Sequence, residues 1–247
     1  MTPTASASIK VLLVTKTRGY RHDCISSVVS AFGSLPFTVK ATEDSNALLS
    51  LSLFDVVVLG HTTGPFLTEE EVLSLCNFVQ NGGGIIGIHA ATSGMATNAK
   101  YTTILGEVFN GHPPPQWMAL TVENPDHYIN QYESLPVPSS APAEAPASSI
   151  SPEAIAAREF LWFDEVYTFK SHPRLIPGRT VLLSVREEDK QSNDSEGFPL
   201  SWTQTVGKGR VYYTALGHFH EAYHDSWFMG TLRRGVIWAA EKDDRLD

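Results

Sequence analysis

The sequence has little cysteine, no long apolar segment and no basic run. Cys24 and Cys76 are the two cysteines among 247 residues, too few for a disulfide framework and typical of a reducing compartment. No apolar segment approaches the roughly 20 residues that span a bilayer, and no signal-peptide pattern precedes the first predicted strand. These absences predict a cytoplasmic protein that is neither secreted nor inserted in a membrane.

Positive charge is also scarce. Lys and Arg total 18 against 27 Asp and Glu, so the formal net charge is -9. A surface of this sign repels phosphate backbones, which argues against nucleic acid as a partner. The partner that remains is a small molecule, and association into a homo-oligomer stays open.

Short apolar runs alternate with amphipathic segments in the first hundred residues. The runs are residues 9–15, 37–41, 54–59 and 85–89. They are rich in β-branched side chains and Leu, as expected for strands covered on both faces. Asp23 is placed to cap one helix, and Thr68 with Glu71 has the spacing of a capping box that begins another. This alternation predicts an α/β fold with a doubly wound, mainly parallel sheet and helices on both faces.

The second half of the chain has a different pattern. Strands are predicted at residues 117–122, 160–169, 180–185, 200–205 and 211–215, and helices at 101–109 and 225–241. Gly207, Lys208 and Gly209 predict a hairpin turn, so the sheet should be mixed. Residues 134–153 contain five prolines, which predicts an exposed insertion within a single domain that spans residues 1–247.

Polar side chains follow several of the predicted strands. Ligands of open parallel sheets bind at the carboxyl ends of the strands, so these side chains should meet there. His89 ends the fourth strand and is flanked by small residues that would let a ligand approach. Asp164 and Glu165 interrupt an aromatic run, and buried carboxylates need partners. We predict one cleft with His22, His89 and Glu165 as its catalytic groups. The predicted substrate-binding residues are Arg21, His61, His112, Asp164 and His218.

A metal centre has weaker support from the sequence. Neutral imidazole and carboxylate suit zinc and similar divalent ions. However, the chain has no H-E-x-x-H segment and no paired C-x-x-C. We therefore assign no metal ligand from sequence, and the cofactor stays undetermined.

Five segments together resemble the ThuA-like (trehalose utilisation) family over nearly the whole chain. They are residues 15–22, 82–92, 111–113, 164–167 and 207–218. The resemblance implies a class I glutamine amidotransferase-like, flavodoxin-like fold and a role in the metabolism of trehalose or keto-sugars. In true amidotransferases of that fold, a nucleophilic cysteine follows the strand that corresponds to residues 85–88. Here His89 takes that place, and imidazole cannot form a glutamyl thioester.

Three functions remain open at this point. The first is a sugar-active enzyme in which imidazole and carboxylate groups serve as acid and base. The second is a non-catalytic metabolite-binding or regulatory module that kept the pocket without the nucleophile. The third is a metal-dependent hydrolase or isomerase.

Overall fold

The structure is a computed structural model that describes residues 8–132, 141–146, 148, 158–186 and 197–240. The strands are β1 (Lys10–Val14), β2 (Thr38–Thr42), β3 (Val56–Gly60), β4 (Gly84–Ile88), β5 (Phe109–Gly111), β6 (Gln116–Val122), β7 (Glu159–Asp164), β8 (Thr168–Phe169), β9 (Thr180–Val185), β10 (Phe198–Val206) and β11 (Gly209–Thr214). The α-helices are α1 (Ile25–Gly33), α2 (Glu69–Gln80), α3 (Ala99–Leu105) and α4 (Ser226–Ala239). Short 3₁₀ helices include Ser45–Leu53 and His89–Ser93.

The main sheet has nine strands in the order β2-β1-β3-β4-β11-β10-β9-β6-β7. Its first five strands are parallel to one another. The remaining four pair in antiparallel fashion, beginning with the β10–β11 hairpin. β5 and β8 form a separate antiparallel pair. The predicted α/β fold with a mixed, mainly parallel sheet is confirmed.

Both faces of the sheet are buried, which explains why its central strands are apolar at every position. Val11 and Leu13 belong to a core cluster that includes side chains of α1 and α4. Leu12 and Val14 alternate with them and belong to a second cluster, with side chains of α2 and α3. Since successive side chains of a strand point to opposite faces, both sets must be apolar.

Three predicted boundaries were wrong. α1 is preceded by Cys24, without a side-chain cap, and not by a capping Asp23. α3 ends before Gly106, which has a φ of 89°, a conformation that glycine adopts without strain. The predicted strand 160–169 is broken after β7, because the Asp164 carboxylate accepts the Glu165 N–H at 2.9 Å. Such a local bond competes with the strand ladder.

The predicted insertion at residues 134–153 falls largely outside the described residues. Of its described part, the Pro146 carbonyl accepts a hydrogen bond from the indole N–H of Trp117 at 2.6 Å. Among the helices that the structure describes, none combines the length and apolar composition needed to cross a bilayer. The single domain over residues 1–247 stays a prediction.

The capping box that begins α2 is confirmed and can be tested. The Thr68 hydroxyl accepts the Glu71 N–H, and the Glu71 carboxylate accepts the Thr68 N–H. Thr68→Ala should lower the free energy of unfolding by about 1 kcal/mol, because one helix N–H loses its partner. Chemical denaturation followed by circular dichroism measures the change. Thr103→Ala, at an exposed position inside α3, is the matched control, and an equal loss there would contradict the capping role.

Candidate functional site

Four histidines meet at the carboxyl ends of the parallel strands. His22 follows β1, His61 follows β3, His89 follows β4 and His218 follows β11. The ring centroids of His22 and His61 lie 4.8 Å apart, and those of His22 and His89 lie 4.9 Å apart. The ring centroids of His89 and His218 are 5.3 Å apart. The structure thus brings together histidines that the sequence places on four separate segments.

His89 occupies a sharp turn at the end of β4. It is fully buried and has a φ of 50°, which is uncommon for a residue with a side chain. The adjacent strand holds this backbone. The Tyr213 hydroxyl donates to the His89 carbonyl at 2.8 Å, and His89 Nδ1 lies 2.6 Å from the Ala215 carbonyl. A carbonyl only accepts, so Nδ1 carries the proton and Nε2 faces the site.

Gly87 makes the close packing of this turn possible. A Cβ atom at Gly87 would lie 2.8 Å from a methyl group of Leu105 and 3.0 Å from the ring of Tyr213. The first contact is too short for carbon atoms and the second is tight, so a larger residue would displace the side chain of Leu105 or the ring of Tyr213. The glycine of the apolar run is therefore explained by packing under the site.

Glu165 lies among three imidazoles. Its Oε2 is 3.3 Å from His89 Nε2 and 3.3 Å from His218 Nδ1, and its Oε1 is 3.3 Å from His112 Nε2. Burial alone would raise the pKa of Glu165, but the hydrogen bond with His218 and the neighbouring His89 outweigh it and bring the pKa below its usual range. Burial alone would lower the pKa of His218, but the hydrogen bond with Glu165 outweighs it and raises this pKa.

Asp164 positions the backbone of Glu165 and His218. Its carboxylate is fully buried and accepts four hydrogen bonds. Three come from the main-chain N–H groups of Glu165 at 2.9 Å, Gly217 at 2.8 Å and His218 at 3.2 Å. The fourth comes from the Trp162 indole at 3.0 Å. Asp164 therefore ties the end of β7 to the loop after β11 and sets the relative positions of Glu165 and His218.

His22 and His61 are held as neutral rings. Burial, followed by the neighbouring His89 and His218, lowers the pKa of His22 to about 3. Burial also lowers the pKa of His61 well below its ordinary value. The Nε2 atom of His61 is 2.7 Å from the Tyr223 hydroxyl. His61 is thus a fully buried residue that packs against the rings of His22 and His89.

The cluster opens into a cavity of about 530 Å³. The side chains that line it include Tyr20, His22, Phe109, His112, Glu165, Tyr167 and His218. Tyr20 is 67% exposed at the rim of the cavity. The ring of Tyr167 stacks on that of His112, with the ring centroids 5.8 Å apart. A cavity of this size with a few convergent polar groups is typical of a small-molecule site.

The predicted and observed site residues differ at Arg21 and at three aromatic positions. Arg21 forms a surface ion pair with Glu43, and about half of each side chain is exposed, so the structure does not bring it into the cluster. Tyr20, Phe109 and Tyr167 line the cavity but were absent from the predicted site residues. Tyr20 has a detectable sequence signal, because it is an aromatic residue within the polar loop after the first strand.

Burial disfavours the reactive form of both cysteines. Cys24 is buried, and desolvation raises the pKa of its thiol to about 12. Burial also raises the pKa of Cys76. A thiolate is the reactive form, and neither thiol forms it readily at neutral pH. The position after β4, where the fold would present a nucleophile, is held by His89.

The parallel strand order and the sharp turn after β4 are those of a class I glutamine amidotransferase-like α/β fold, with His89 at the end of β4. The family model described as ThuA, trehalose utilisation, matches residues 10–239. The chain belongs to this family, as the sequence resemblance predicted.

Solved structures agree with this fold. A ThuA-like protein from Bacteroides uniformis ATCC 8492 is 21% identical with a TM-score of 0.71, over 97% of this chain and 95% of that chain. A ThuA-like protein from Parabacteroides merdae ATCC 43184 is 19% identical with a TM-score of 0.67, over 94% and 90%. A protein described as part of a GMP synthase, from Thermoplasma acidophilum, is 12% identical with a TM-score of 0.54, over 97% and 98%. Comparison with curated proteins gave no match.

The positioning role of Asp164 leads to a stability prediction. Asp164→Asn keeps the shape of the side chain but replaces one acceptor oxygen with an NH₂ group that faces N–H donors. The free energy of unfolding at pH 7 should fall by about 2 kcal/mol, because buried donors are left without partners. Urea denaturation measures it. Asp126→Asn, at an exposed position, is the control and should change little. A loss no larger than the control's would contradict the assigned network.

The neutral state of His22 predicts acid sensitivity. In the unfolded chain His22 binds a proton below a pKa of about 6.5, whereas the pKa in the folded protein is about 3. Between these values the unfolded state binds more protons, so stability falls as the pH is lowered. Denaturation between pH 7 and 4, in chelator, should show a shallower slope for His22→Gln than for the parent. His224→Gln, at an exposed position, should keep the parental slope. Equal slopes in all three proteins would refute the buried neutral ring.

Proposed function

We propose that this ThuA-family protein binds a sugar or sugar derivative in the cavity beside Glu165 and acts on it as a general acid and base. The proposed setting is the metabolism of trehalose or keto-sugars. The observation that carries the proposal is one carboxylate with imidazole nitrogens at 3.3 Å on both of its oxygens. Such a cluster can accept a proton at one atom and return it at another. The family description, trehalose utilisation, supports the choice of substrate class.

The lining of the cavity fits a sugar. Sugars combine hydroxyl groups with apolar C–H faces, so their sites pair polar groups with aromatic rings. His112, Glu165 and His218 supply the polar groups, and Tyr20 and Phe109 supply rings. This combination of aromatic rings and placed polar groups is what orients a small polar ligand.

Within the cluster, His112 is best placed to exchange protons with a ligand. Its side chain is 32% exposed, whereas that of Glu165 is 7% exposed and that of His89 is fully buried. A general acid or base must come within hydrogen-bond distance of the reacting group. In the proposed mechanism His112 exchanges the proton with the ligand, and the Glu165 carboxylate, 3.3 Å from His112 Nε2, stabilises the imidazolium that forms. His22 and His89 complete the network around the carboxylate.

A second candidate function is a non-catalytic metabolite-binding or regulatory module. It is supported by His89 at the position where this fold would present a nucleophile. The same cavity and aromatic rim would then bind the ligand without converting it. The two candidates differ in whether product appears.

Assays on trehalose and on its oxidised keto derivative separate the candidates. Glu165→Gln should lower turnover by about 10²-fold or more, since general acid–base groups contribute this much. Glu70→Gln, at an exposed position on α2, should keep full turnover. Product is measured by chromatography, and ligand binding is measured as a rise in melting temperature. A rise without product supports the binding module. If neither probe raises the melting temperature or yields product, both candidates fail.

A further inference from the structure

Three donor atoms in the cavity wall form a nearly regular triangle. His89 Nε2 and His218 Nδ1 each lie 3.3 Å from Glu165 Oε2, and the two nitrogens lie 3.4 Å apart. A tetrahedral zinc ion, with bonds of about 2.0–2.1 Å, separates its ligand atoms by about 3.4 Å. The triangle therefore has the dimensions of one face of a tetrahedral metal site.

His22 provides a fourth donor next to this triangle. Ligand atoms of His22, His89, Glu165 and His218 all lie within 4.8 Å of one another. His22 is 6% exposed, and among the described residues its Nδ1 is buried without a hydrogen-bond partner. Buried polar side-chain atoms normally have partners, so an unpartnered nitrogen here needs an explanation.

The lone pairs of the triangle also point to a cation. His89 Nδ1 donates to the Ala215 carbonyl at 2.6 Å, which leaves a lone pair on Nε2 in the neutral ring. That lone pair faces Glu165 Oε2 at 3.3 Å and His218 Nδ1 at 3.4 Å, and the Tyr167 hydroxyl lies 2.8 Å from the same nitrogen. A metal ion bound by the triangle would bring these donor atoms to one centre, with the Tyr167 hydroxyl beside it.

The groups around the cluster have the arrangement that supports metal ligands. A metal-binding histidine usually donates its second ring N–H to a carbonyl or carboxylate, which fixes the ring. His89 does so to Ala215. Asp164 accepts the main-chain N–H groups of Glu165 and His218, so two further donors are held by one buried carboxylate.

We infer that His22, His89, Glu165 and His218 bind a divalent transition-metal ion of the zinc class. Three imidazoles and one carboxylate are ligands that such ions prefer, whereas Mg²⁺ and Ca²⁺ prefer oxygen ligands. His112 lies outside this set and faces the cavity. The inference rests on the proposed function only for the claim that the ion assists chemistry on a sugar.

Titration of the chelator-treated 247-residue chain with ZnCl₂ tests the site, and Co²⁺ absorption provides a second readout. The parent should bind one ion per chain, and Co²⁺ should give the visible bands of tetrahedral coordination. His218→Ala and Glu165→Gln should each weaken binding by at least tenfold, because each removes one of the four donors. His224→Ala, which changes an exposed histidine, is the matched control and should bind like the parent. Circular dichroism of the chelated variants checks that they are folded.

Absence of saturable binding by the parent would overturn the metal site, and so would equal affinity in His218→Ala and His224→Ala. The site would also be wrong if binding is lost only in a variant that is unfolded, while the folded Glu165→Gln binds the ion like the parent. The metal and sugar proposals fail separately. Ion binding without any effect of trehalose or its keto derivative would leave the metal site and remove the proposed function. Turnover by chelated protein that added metal does not change would argue against a role for the ion in that function.

Discussion

The buried pair of neighbouring carboxylates, Asp164 and Glu165, is the constraint on which the site depends. A carboxylate removed from water is costly unless hydrogen bonds and opposite charge compensate it. Asp164 meets this demand with four protein donors, and Glu165 meets it with imidazoles at 3.3 Å. The break in the sheet after β7, the loop after β11 and the histidine cluster all follow from these two requirements.

The same turn that positions a nucleophile in amidotransferase-like folds here positions an imidazole. His89 keeps the left-handed backbone of a sharp strand-to-helix turn, but its side chain is buried and directed at Glu165. A fold of this kind can therefore keep its scaffold while its chemistry moves to other residues. Here polar groups reach the cavity from the segments after β1, β4, β7 and β11.

Much of the architecture followed from local pattern. The apolar strands on both sides of α1, the capping box at Thr68 and the hairpin at Lys208 were all predicted, because each depends on residues close in sequence. The predictions were wrong where a hydrogen bond or an ion pair with another residue, near or distant in sequence, decided the conformation. The 160–169 run reads as one strand by its side chains, yet the Asp164 carboxylate takes the Glu165 N–H. Arg21 follows β1 like His22, but its side chain forms an ion pair with Glu43 at the surface.

By itself the sequence determined most strands of the main sheet, the approximate positions of the helices and the fact that His22, His61, His89 and His218 lie at strand ends. These properties come from hydrophobic periodicity, caps and turn residues, which act over short distances along the chain. Only the tertiary structure decided which of these histidines touch Glu165. That outcome depends on the placement of β11 beside β4, which brings residues 89 and 218 together. Strand order is set by the packing of both core clusters at once, and no local segment of the sequence encodes it.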